Sequence, residues 1–590
     1  MKNLRNSPND VLSTFEKRVS DYENKIAYKF INSDQDHEIL SYGDFRHKTG
    51  LVAAYLLEVI KLKKNDRVLI LYPPGIEYLL AFYGCVFSGI IAVPAYPPDY
   101  KNSSRVSSII KDCKPTVILT TQQMITQMAA YSDSYDFHAC YRDKMLSLPD
   151  LSVLERNFHP KLDASNLSTI AFLQYTSGST SSPKGVVVTH HNLIANTICI
   201  ENAIRLTSKG EIVSWLPPYH DMGLIGCIIY PLVTGISTTL MSPYYFVKKP
   251  VRWLECISQI QTTERILSAG PNFSYELCNN KINDDVGHLD LSRWQLAVCG
   301  SEPIKIETYE KFSRKFESAG FKASFFVPVY GLAEATLLVS GHASGKAPTI
   351  THFDKTALIE NKVAISEDID IENNSQRLMG CGVLIKDHNV LIVDPLTLAV
   401  CKNGTVGEIW LQGKSVAEGY WHNGENTSEE FNAYTLNKKG PYLRTGDMGF
   451  IHNHELYISG RLKDCIIING KNYYPQDIEQ TVSEGFQTLR ENCTAVFKIE
   501  ASHNNGPEEI VVVQEIVRLE KAACNFKNIA STIRSHVFKK HHIPLNRIIF
   551  IEQSSIPKTS SGKIQRQKTR QLFLEDKLRI IHISDLYAGQ

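Results

Sequence analysis

The strongest indication of the fold lies in residues 168–196, "STIAFLQYTSGSTSSPKGVVVTHHNLIAN". It begins with an apolar run typical of a buried strand, passes through a loop of glycine and hydroxyl-bearing residues, and resumes as a strand that leads into a helix. A loop of this composition brings backbone N–H groups close to an anion, and Lys184 adds a positive charge. The order Pro183, Lys184, Gly185 does not match the G-x-x-x-x-G-K-[ST] motif. We therefore predict a phosphate-binding loop of another type.

The sequence before this loop alternates short aliphatic runs with helical patterns. The runs "RVLILYPP" (67–74), "IIAVPAYPP" (90–98) and "TVILTT" (116–121) predict strands, and "EYLLAFYGCVFSG" between the first two predicts a helix. Such alternation indicates an α/β protein with parallel sheets and helices on their faces. Ligands of these folds bind at the carboxyl ends of the strands, where the loop would lie.

The composition excludes some classes of partner. Lys plus Arg (63) and Asp plus Glu (62) leave a net charge of +1, which gives no electrostatic case for nucleic acid or an anionic membrane. Two charge-free runs, residues 78–98 and 222–247, are long enough to cross a bilayer. Glycines and prolines interrupt both runs, so we predict that they form the interior of an α/β domain and expect no transmembrane segment.

The cysteines and the N-terminus bear on the compartment. The thirteen cysteines are scattered, and the closest pair lies twenty positions apart, so neither a zinc site nor a disulfide framework is expected. The N-terminal stretch "MKNLRNSPNDVLSTFEKRV" is charged and has no apolar run typical of a signal peptide. We therefore predict a cytoplasmic protein.

Several further stretches place polar residues where apolar runs end. They are "SWLPPYHDMGLIG" with His220, "AVCGSEPI" with Gly300 to Glu302, "VPVYGLAEATLL" with Tyr330 and Glu334, "YLRTGDMGF" with Asp447, "ISGRLKD" with Arg461, and "PKTSSGK" with Lys563. Taken singly, a histidine of this kind is usually a satisfied core residue, and a lysine or aspartate usually faces solvent. Their combination is more specific.

The ordered motifs "YTSGSTSSPKG", "YGLAEAT", "YLRTGD", "GRLKDCIIINGKNYYPQDIE" and "PKTSSGK" resemble those of the adenylate-forming enzymes, which include acyl-CoA synthetases, luciferases and peptide-synthetase adenylation domains. The likeness extends over nearly the whole chain. Within that superfamily the chain is most similar to the fatty acyl-AMP ligases. Three features support this similarity: the stretch "LYPPGIEYLLAFYGCVFSGIIAVPAYPPD", the stretch "LDLSRWQLAVCGSEPI", and an extra segment, 353–377, that acyl-CoA synthetases lack.

This resemblance implies a two-domain α/β architecture. A large domain, 1–460, would combine parallel-sheet α/β subdomains with a distorted β-barrel and would carry the insertion 353–377. A hinge, 461–464, with Lys463 as its turning point, would lead to a small mobile α+β domain, 465–590. The insertion is implied to hinder the domain rearrangement that CoA-dependent thioester formation needs.

The implied reaction joins a medium- or long-chain fatty acid to ATP, giving acyl-AMP and pyrophosphate. The implied cofactors are ATP and Mg²⁺. The acyl group would then pass to the phosphopantetheine thiol of an acyl carrier protein, or of a carrier domain in a polyketide or nonribosomal peptide synthetase.

The resemblance also implies roles for individual residues. Lys563 would be the chief catalytic cation, His220 would border the acyl pocket, and Glu334 would bind magnesium. The implied nucleotide site contains Thr176, Ser177, Gly178, Ser179, Thr180, Lys184, Gly300, Ser301, Glu302, Pro303, Tyr330, Gly331, Thr336, Asp447 and Arg461. Residues 176–184 would hold the β- and γ-phosphates, Tyr330 would stack on adenine beside Ser301 and Glu302, and Asp447 would accept the ribose hydroxyls. By position alone, Met222, Gly223, Asn272 and Phe273 are candidates for the acyl site.

The sequence departs from the superfamily pattern at Ala333, where relatives carry a hydroxyl that contacts the α-phosphate; Thr336 is the candidate substitute. Two other functions stay open: a fatty acyl-CoA synthetase with an unusual insertion, and a non-catalytic pseudoenzyme that binds nucleotide or lipid. The presence of Glu334, Asp447, Arg461 and Lys563 together favours catalysis over the pseudoenzyme.

Overall fold

A computed structural model describes residues 10–98, 103–130, 138–176, 183–341, 345–366, 374–468, 471–499, 508–518, 521, 524–559 and 562–586. Within them the strands β1 to β27 are Ile26–Ile31, His37–Ser41, Arg67–Ile70, Ile91–Pro94, Val117–Leu119, Met145–Leu146, Ile170–Tyr175, Gly185–Thr189, Glu211–Ser214, Ser237–Met241, Ile266–Gly270, Leu296–Cys299, Phe326–Gly331, Leu338–Gly341, Ile350–Asp354, Ser375–Met379, Val383–Leu384, His388–Val393, Gly407–Gly413, Leu443–His452, Glu455–Arg461, Ile466–Ile468, Lys471–Tyr473, Leu489–Ile499, Glu509–Ile516, Arg547–Ile551 and Ile580–Asp585.

The α-helices α1 to α18 are Val11–Tyr22, Tyr42–Glu58, Ile76–Val86, Ser103–Cys113, Gln122–Ala130, His138–Tyr141, Leu151–Asn157, His190–Ile204, Tyr230–Thr234, Pro243–Lys248, Val251–Gln259, Asn272–Lys281, Ile306–Lys315, Lys355–Ile359, Gly424–Phe431, Pro475–Ser483, Phe526–His541 and Arg566–Leu574. A π-helical segment, Met222–Ile229, precedes α9.

The first sheet contains the two strands on either side of the predicted phosphate loop. Its six strands have the order β6-β5-β3-β4-β7-β8, and all neighbours are parallel except β7 and β8. Tyr175 pairs with Gly185 at the end of this antiparallel pair, so the predicted phosphate loop connects two adjacent strands. Helix α8 then begins at a capping box formed by Thr189 and Asn192. The predicted α/β class is confirmed.

A second, thirteen-stranded sheet has the order β18-β19-β20-β21-β17-β14-β13-β12-β11-β9-β10-β1-β2. Strands β10, β9, β11, β12 and β13 run parallel, so their carboxyl ends lie along one edge. The other end of this sheet, formed by β14, β17, β21, β20, β19 and β18, is antiparallel, and the distorted β-barrel that the resemblance implied stays a prediction.

A separate sheet near the C-terminus has the order β24-β25-β26-β27. Strand β25 is apolar on both sides because Val511 and Val513 face one apolar cluster while Ile510 and Val512 face another. Helices α16 and α17 pack together beside this sheet, and α18 packs on β24. This is the small α+β unit that the resemblance implied, whereas the exact boundaries at 460 and 465 stay predictions.

Within the described residues, no helix is long and apolar enough to cross a membrane. The run 222–247 folds instead into the π-helical segment, α9, β10 and most of α10. None of the thirteen cysteines, all of which the structure describes, forms a disulfide, and the cytoplasmic location inferred from the sequence stays a prediction.

The predicted insertion forms the antiparallel pair β15 and β16 with helix α14 between them. Residues 367–373 lie outside the described part. Two side chains of the insertion form hydrogen bonds with the C-terminal unit. Lys355 Nζ donates to the carbonyl of Lys540, and Gln376 Nε2 donates to Asp477 Oδ2 at 3.1 Å. The insertion therefore contacts both α17 and α16.

Asp477 makes this contact sensitive to pH. Burial raises the pKa of Asp477 to about 6, although the Gln376 hydrogen bond and the Lys355 charge act in the opposite direction. An unfolded aspartate titrates near pH ~3.9. The contribution of Asp477 to the free energy of unfolding is therefore fully present at low pH. This contribution is lost as the pH rises through about 6, because the buried carboxyl must then ionise.

We expect Asp477→Asn to remove this dependence. The free energy of unfolding of the variant, relative to that of the unmodified protein, should be about 1 kcal/mol higher at pH 7 than at pH 5, since one pKa unit corresponds to about 1.4 kcal/mol. Denaturant unfolding at both pH values measures the gain, and Asp285→Asn, at an exposed position, is the control. An equal stability difference at both pH values would contradict the prediction.

Candidate active site

A cavity of about 990 Å³ lies between the carboxyl ends of β11, β12 and β13 and the C-terminal sheet. The sequence-predicted residues that line it are Thr176, His220, Met222, Asn272, Phe273, Ser301, Glu302, Pro303, Tyr330, Gly331, Glu334, Asp447, Arg461 and Lys563. The predicted residues Lys184, Gly223, Gly300, Thr336 and Lys463 are described but do not line it. Ser177, Gly178, Ser179 and Thr180 lie outside the described residues.

Asp447 is the centre of one group of side chains. The antiparallel register of β20 and β21 sets Asp447 directly opposite Arg461, whose Nε lies 2.9 Å from Asp447 Oδ1. The Tyr330 hydroxyl donates to Asp447 Oδ2 at 2.8 Å. The negative charge of Asp447 raises the pKa of Arg461. A carboxylate has about four lone-pair sites, so Asp447 can still accept hydrogen bonds from a ribose.

Ser301 and Glu302 follow β12 in a strained turn. Ser301 has a φ of +72°, in the left-handed region that non-glycine residues rarely adopt. Glu302 Oε1 accepts from the Phe273 N–H at 2.6 Å, and the Asn272 side chain accepts from the Lys305 N–H at 3.0 Å. Asn272 and Phe273, proposed from position for the acyl site, thus lie beside the residues predicted to line adenine.

His220 and Asp221 form a pair after the Pro-Pro turn. His220 Nδ1 lies 2.7 Å from Asp221 Oδ1, which also accepts from the Met222 N–H at 2.7 Å. Burial opposes the charge on Asp221, but His220 and Lys563 outweigh it and lower the pKa of Asp221. Gly223 stays out of the cavity because it abuts the turn: a Cβ there would come within 2.3 Å of the Pro217 carbonyl oxygen.

Lys563 enters the cavity from the C-terminal unit. Its N–H donates to Thr559 Oγ1 at 3.0 Å, and the Thr559 N–H donates back to its carbonyl at 2.7 Å. Burial lowers the pKa of Lys563, Arg461 lowers it further, and the carboxylates of Asp221, Glu302 and Asp447 oppose both effects. The ammonium group therefore lies within electrostatic range of three carboxylates of the predicted site.

Glu334 also lines the cavity, within electrostatic range of Arg461. Burial raises the pKa of its carboxyl group. One partly buried carboxylate suits Mg²⁺, which is usually bound by one or two carboxylates together with substrate phosphates and waters. Across the described residues there is no group of three or more His, Cys, Asp or Glu side chains that could hold a metal alone. These residues therefore fit a metal that arrives with ATP.

Three predicted residues have local structural explanations. Thr336 has a φ of +69°, is fully buried, and donates to the Ser415 carbonyl at 2.6 Å, so the geometry gives no support for its proposed phosphate contact. A Cβ at Gly300 would come within 2.6 Å of Val329 on the next strand. Lys463 lies in the turn Leu462–Asp464, and its carbonyl accepts from Gln567 on α18 at 3.4 Å.

An apolar part of the cavity extends from the His220 region into the large sheet. Leu267 and Ala269 face it from one side of β11, as the two-residue period of a strand requires. Its other apolar lining comes from Ile200, Ile204, Met222, Cys227 and Leu338. Apart from Met222, no sequence pattern indicated these residues, because Ile200 and Ile204 have the spacing of any buried helix face.

Comparison with known families decides the identity. The family described as AMP-binding enzyme matches residues 15–421, and a second, described as Disco-interacting protein 2-like, AMP domain, matches residues 463–583. The chain belongs to the AMP-binding enzyme family. This membership confirms the resemblance to adenylate-forming enzymes and implies that the chain uses ATP.

Individual relatives of this AMP-binding enzyme are fatty acid ligases. The medium-chain-fatty-acid–[acyl-carrier-protein] ligase of Moorena producens is 38% identical over 94% of this chain and 93% of its own length. A ligase with the same description from Teredinibacter turnerae is 34% identical, with 94% and 92% covered. The structure of a fatty acyl-adenylate ligase from Legionella pneumophila, in complex with acyl adenylate and pyrophosphate, is 35% identical with a TM-score of 0.73 and covers 99% of both chains.

Proposed function

We propose that this protein activates a medium- or long-chain fatty acid with ATP, giving acyl-AMP and pyrophosphate. One observation carries the proposal: Glu334, Asp447 and Lys563 line the same cavity as the apolar side chains of β11 and α8. The fatty acid ligases among the relatives support the same reaction. Because Glu334, Asp447, Arg461 and Lys563 all line the cavity, a non-catalytic nucleotide sensor is the weaker explanation.

The chemistry requires two anions to approach each other. A carboxylate oxygen attacks the α-phosphorus of ATP, the bond to the bridging oxygen of the β-phosphate breaks, and pyrophosphate leaves with the bonding electrons. Lys563 offsets the repulsion by placing its ammonium between the carboxylate and the α-phosphate. His220, oriented by Asp221, borders the carboxylate. Magnesium, held by Glu334 and the phosphates, would neutralise part of the triphosphate charge.

For the second half of the reaction we propose transfer to a carrier protein. A thiolate of phosphopantetheine attacks the acyl carbon, and AMP leaves with the electron pair of the broken mixed-anhydride bond. The two relatives described as acyl-carrier-protein ligases support this acceptor. The insertion also supports it, because its contacts with α16 and α17 restrain the C-terminal unit that must rotate about residues 461–464 for CoA-dependent transfer.

A product assay tests both halves. Purified protein is mixed with ATP, magnesium and dodecanoate, with and without CoA, and the products are identified by mass spectrometry. We expect acyl-AMP that persists in the presence of CoA and is consumed by a phosphopantetheinylated carrier protein. Acyl-CoA in quantity would identify a fatty acyl-CoA synthetase, and the absence of both products at every chain length would favour the pseudoenzyme.

The apolar channel predicts a dependence on chain length. Each added methylene that enters it should favour binding by about 0.8 kcal/mol, or nearly fourfold in kcat/KM, until the channel is full. The test is a series of about seven even-chain fatty acids, from about four to sixteen carbons. We expect kcat/KM to rise with chain length until the channel is full and then to fall sharply. A preference for acetate or for amino acids would contradict the fatty-acid substrate.

A further inference from the structure

Four side chains lie in a line behind the nucleotide site. Lys184 Nζ is 2.7 Å from Glu430 Oε1, the Tyr420 hydroxyl is 2.6 Å from Glu430 Oε2, and the same hydroxyl is 3.0 Å from Glu334 Oε1. Of the four, Glu334 alone lines the cavity. Asn426 accepts a second hydrogen bond from Lys184 at 2.8 Å. The line connects the lysine at the end of the predicted phosphate loop to the carboxylate predicted to bind magnesium.

The two carboxylates of this line differ in the hydrogen-bond donors available to them. A tyrosine hydroxyl carries one proton, yet Tyr420 lies within hydrogen-bond distance of two carboxylates. Glu430 has another donor in Lys184. For Glu334, Tyr420 is the side-chain donor that the described residues supply. Lys184 supplies a charged donor to Glu430 Oε1, so Glu430 does not depend on the phenolic proton alone, and Tyr420 can share that proton between Glu430 Oε2 at 2.6 Å and Glu334 Oε1 at 3.0 Å.

The position of the Tyr420 ring is fixed from several sides. The backbone around it joins β8: the Val187 N–H donates to the Gly419 carbonyl at 2.9 Å, and the Trp421 N–H donates to the Gly185 carbonyl at 2.7 Å. The Phe431 ring packs edge-on at 5.1 Å, and Lys184 Nζ lies 4.6 Å from the centre of the Tyr420 ring. A hydroxyl on so constrained a ring is suited to orienting a neighbouring side chain.

We propose that Tyr420 is a positioning residue that orients the Glu334 carboxylate toward the cavity, and that the Lys184–Glu430 ion pair keeps its proton available for this contact. The inference rests on the proposed function, in which Glu334 faces the triphosphate and its metal. It assigns a role to two residues, Tyr420 and Glu430, that the sequence motifs did not indicate. It also gives Lys184 a role beside its predicted phosphate contact, because the lysine acts on Glu334 through Glu430 and Tyr420.

Tyr420→Phe is the direct test, since it removes the hydroxyl and keeps the ring. ATP binding is measured by calorimetry without fatty acid, in the presence and absence of Mg²⁺. We expect the enhancement of ATP affinity by Mg²⁺ to fall about tenfold, as when other residues that orient a metal ligand are removed. Affinity without Mg²⁺ and the melting temperature should stay close to those of the unmodified protein.

Two further variants sharpen the result. Tyr434→Phe, at a half-exposed tyrosine, makes the same chemical change elsewhere and should leave both affinities unchanged. Lys184→Gln should weaken ATP binding with and without Mg²⁺, because it removes a phosphate contact and the partner of Glu430. An unchanged Mg²⁺ enhancement in Tyr420→Phe, or an equal loss with and without the metal, would overturn the inference while the acyl-AMP assay still upheld the proposed function. An unmodified protein that bound no ATP would overturn both.

Discussion

Replacing Lys563 with alanine should lower the rate of acyl-AMP formation by about two to three decades, as the loss of one oxyanion donor does in other enzymes. Lys563 lines the cavity, and the charges of Asp221, Glu302 and Asp447 act on its ammonium group. At about 4 Å and an effective dielectric constant near 20, its contact with a developing charge is worth roughly 4 kcal/mol of Coulomb energy. The charge matters most in the transition state, so kcat should fall more than the KM for ATP rises.

Pyrophosphate release with a saturating fatty acid measures this effect. Lys568→Ala is a matched control, because Lys568 is exposed on α18, five residues from Lys563, and lies outside the cavity. The control should retain the unmodified rate. If Lys563→Ala keeps more than about a tenth of that rate, the lysine is not the chief cation of the reaction.

The sequence predicts the local parts of the fold well. The apolar runs on each side of the phosphate loop become β7 and β8 because each is short, rich in aliphatic residues and bounded by turn-forming residues. The alternating faces of β25 follow from the same two-residue period. Most of the residues that the ordered motifs predict for the nucleotide site line one cavity, since polar residues after parallel strands meet at one sheet edge.

What the sequence could not predict depends on pairing over long distances. Tyr420 and Glu334 are 86 positions apart, and Lys184 and Glu430 are 246 apart, so no local pattern records their contacts. The pairing of Asp447 with Arg461 depends on the register of β20 and β21, where a shift occurs between Met448 and Gly449. A one-residue change in register would turn one side chain to the other face of the sheet.

Asp447 is the position where the second large loss of activity is expected. Asp447→Asn keeps the shape of the side chain but removes its negative charge. The carboxylate of Asp447 lies 2.9 Å from Arg461 Nε and accepts a hydrogen bond from the Tyr330 hydroxyl at 2.8 Å. Hydrogen bonds to charged groups contribute about 1.5–3 kcal/mol each, so losing those to the ribose should lower kcat/KM for ATP by about two decades. Asp387→Asn, at an exposed position, should have no effect.

An analogue of the nucleotide separates a ribose contact from a structural role. With 2′,3′-dideoxy-ATP, which has no ribose hydroxyls to donate, the unmodified protein and Asp447→Asn should differ by less than about threefold, because neither can make the contact that the substitution removes. If the variant is instead about a hundredfold worse with both nucleotides, Asp447 acts by holding Arg461 and Tyr330 and not by binding the ribose. In that case a conservative Arg461→Lys variant should reproduce most of the loss, since Arg461 Nε contacts Asp447 from the facing position of β21.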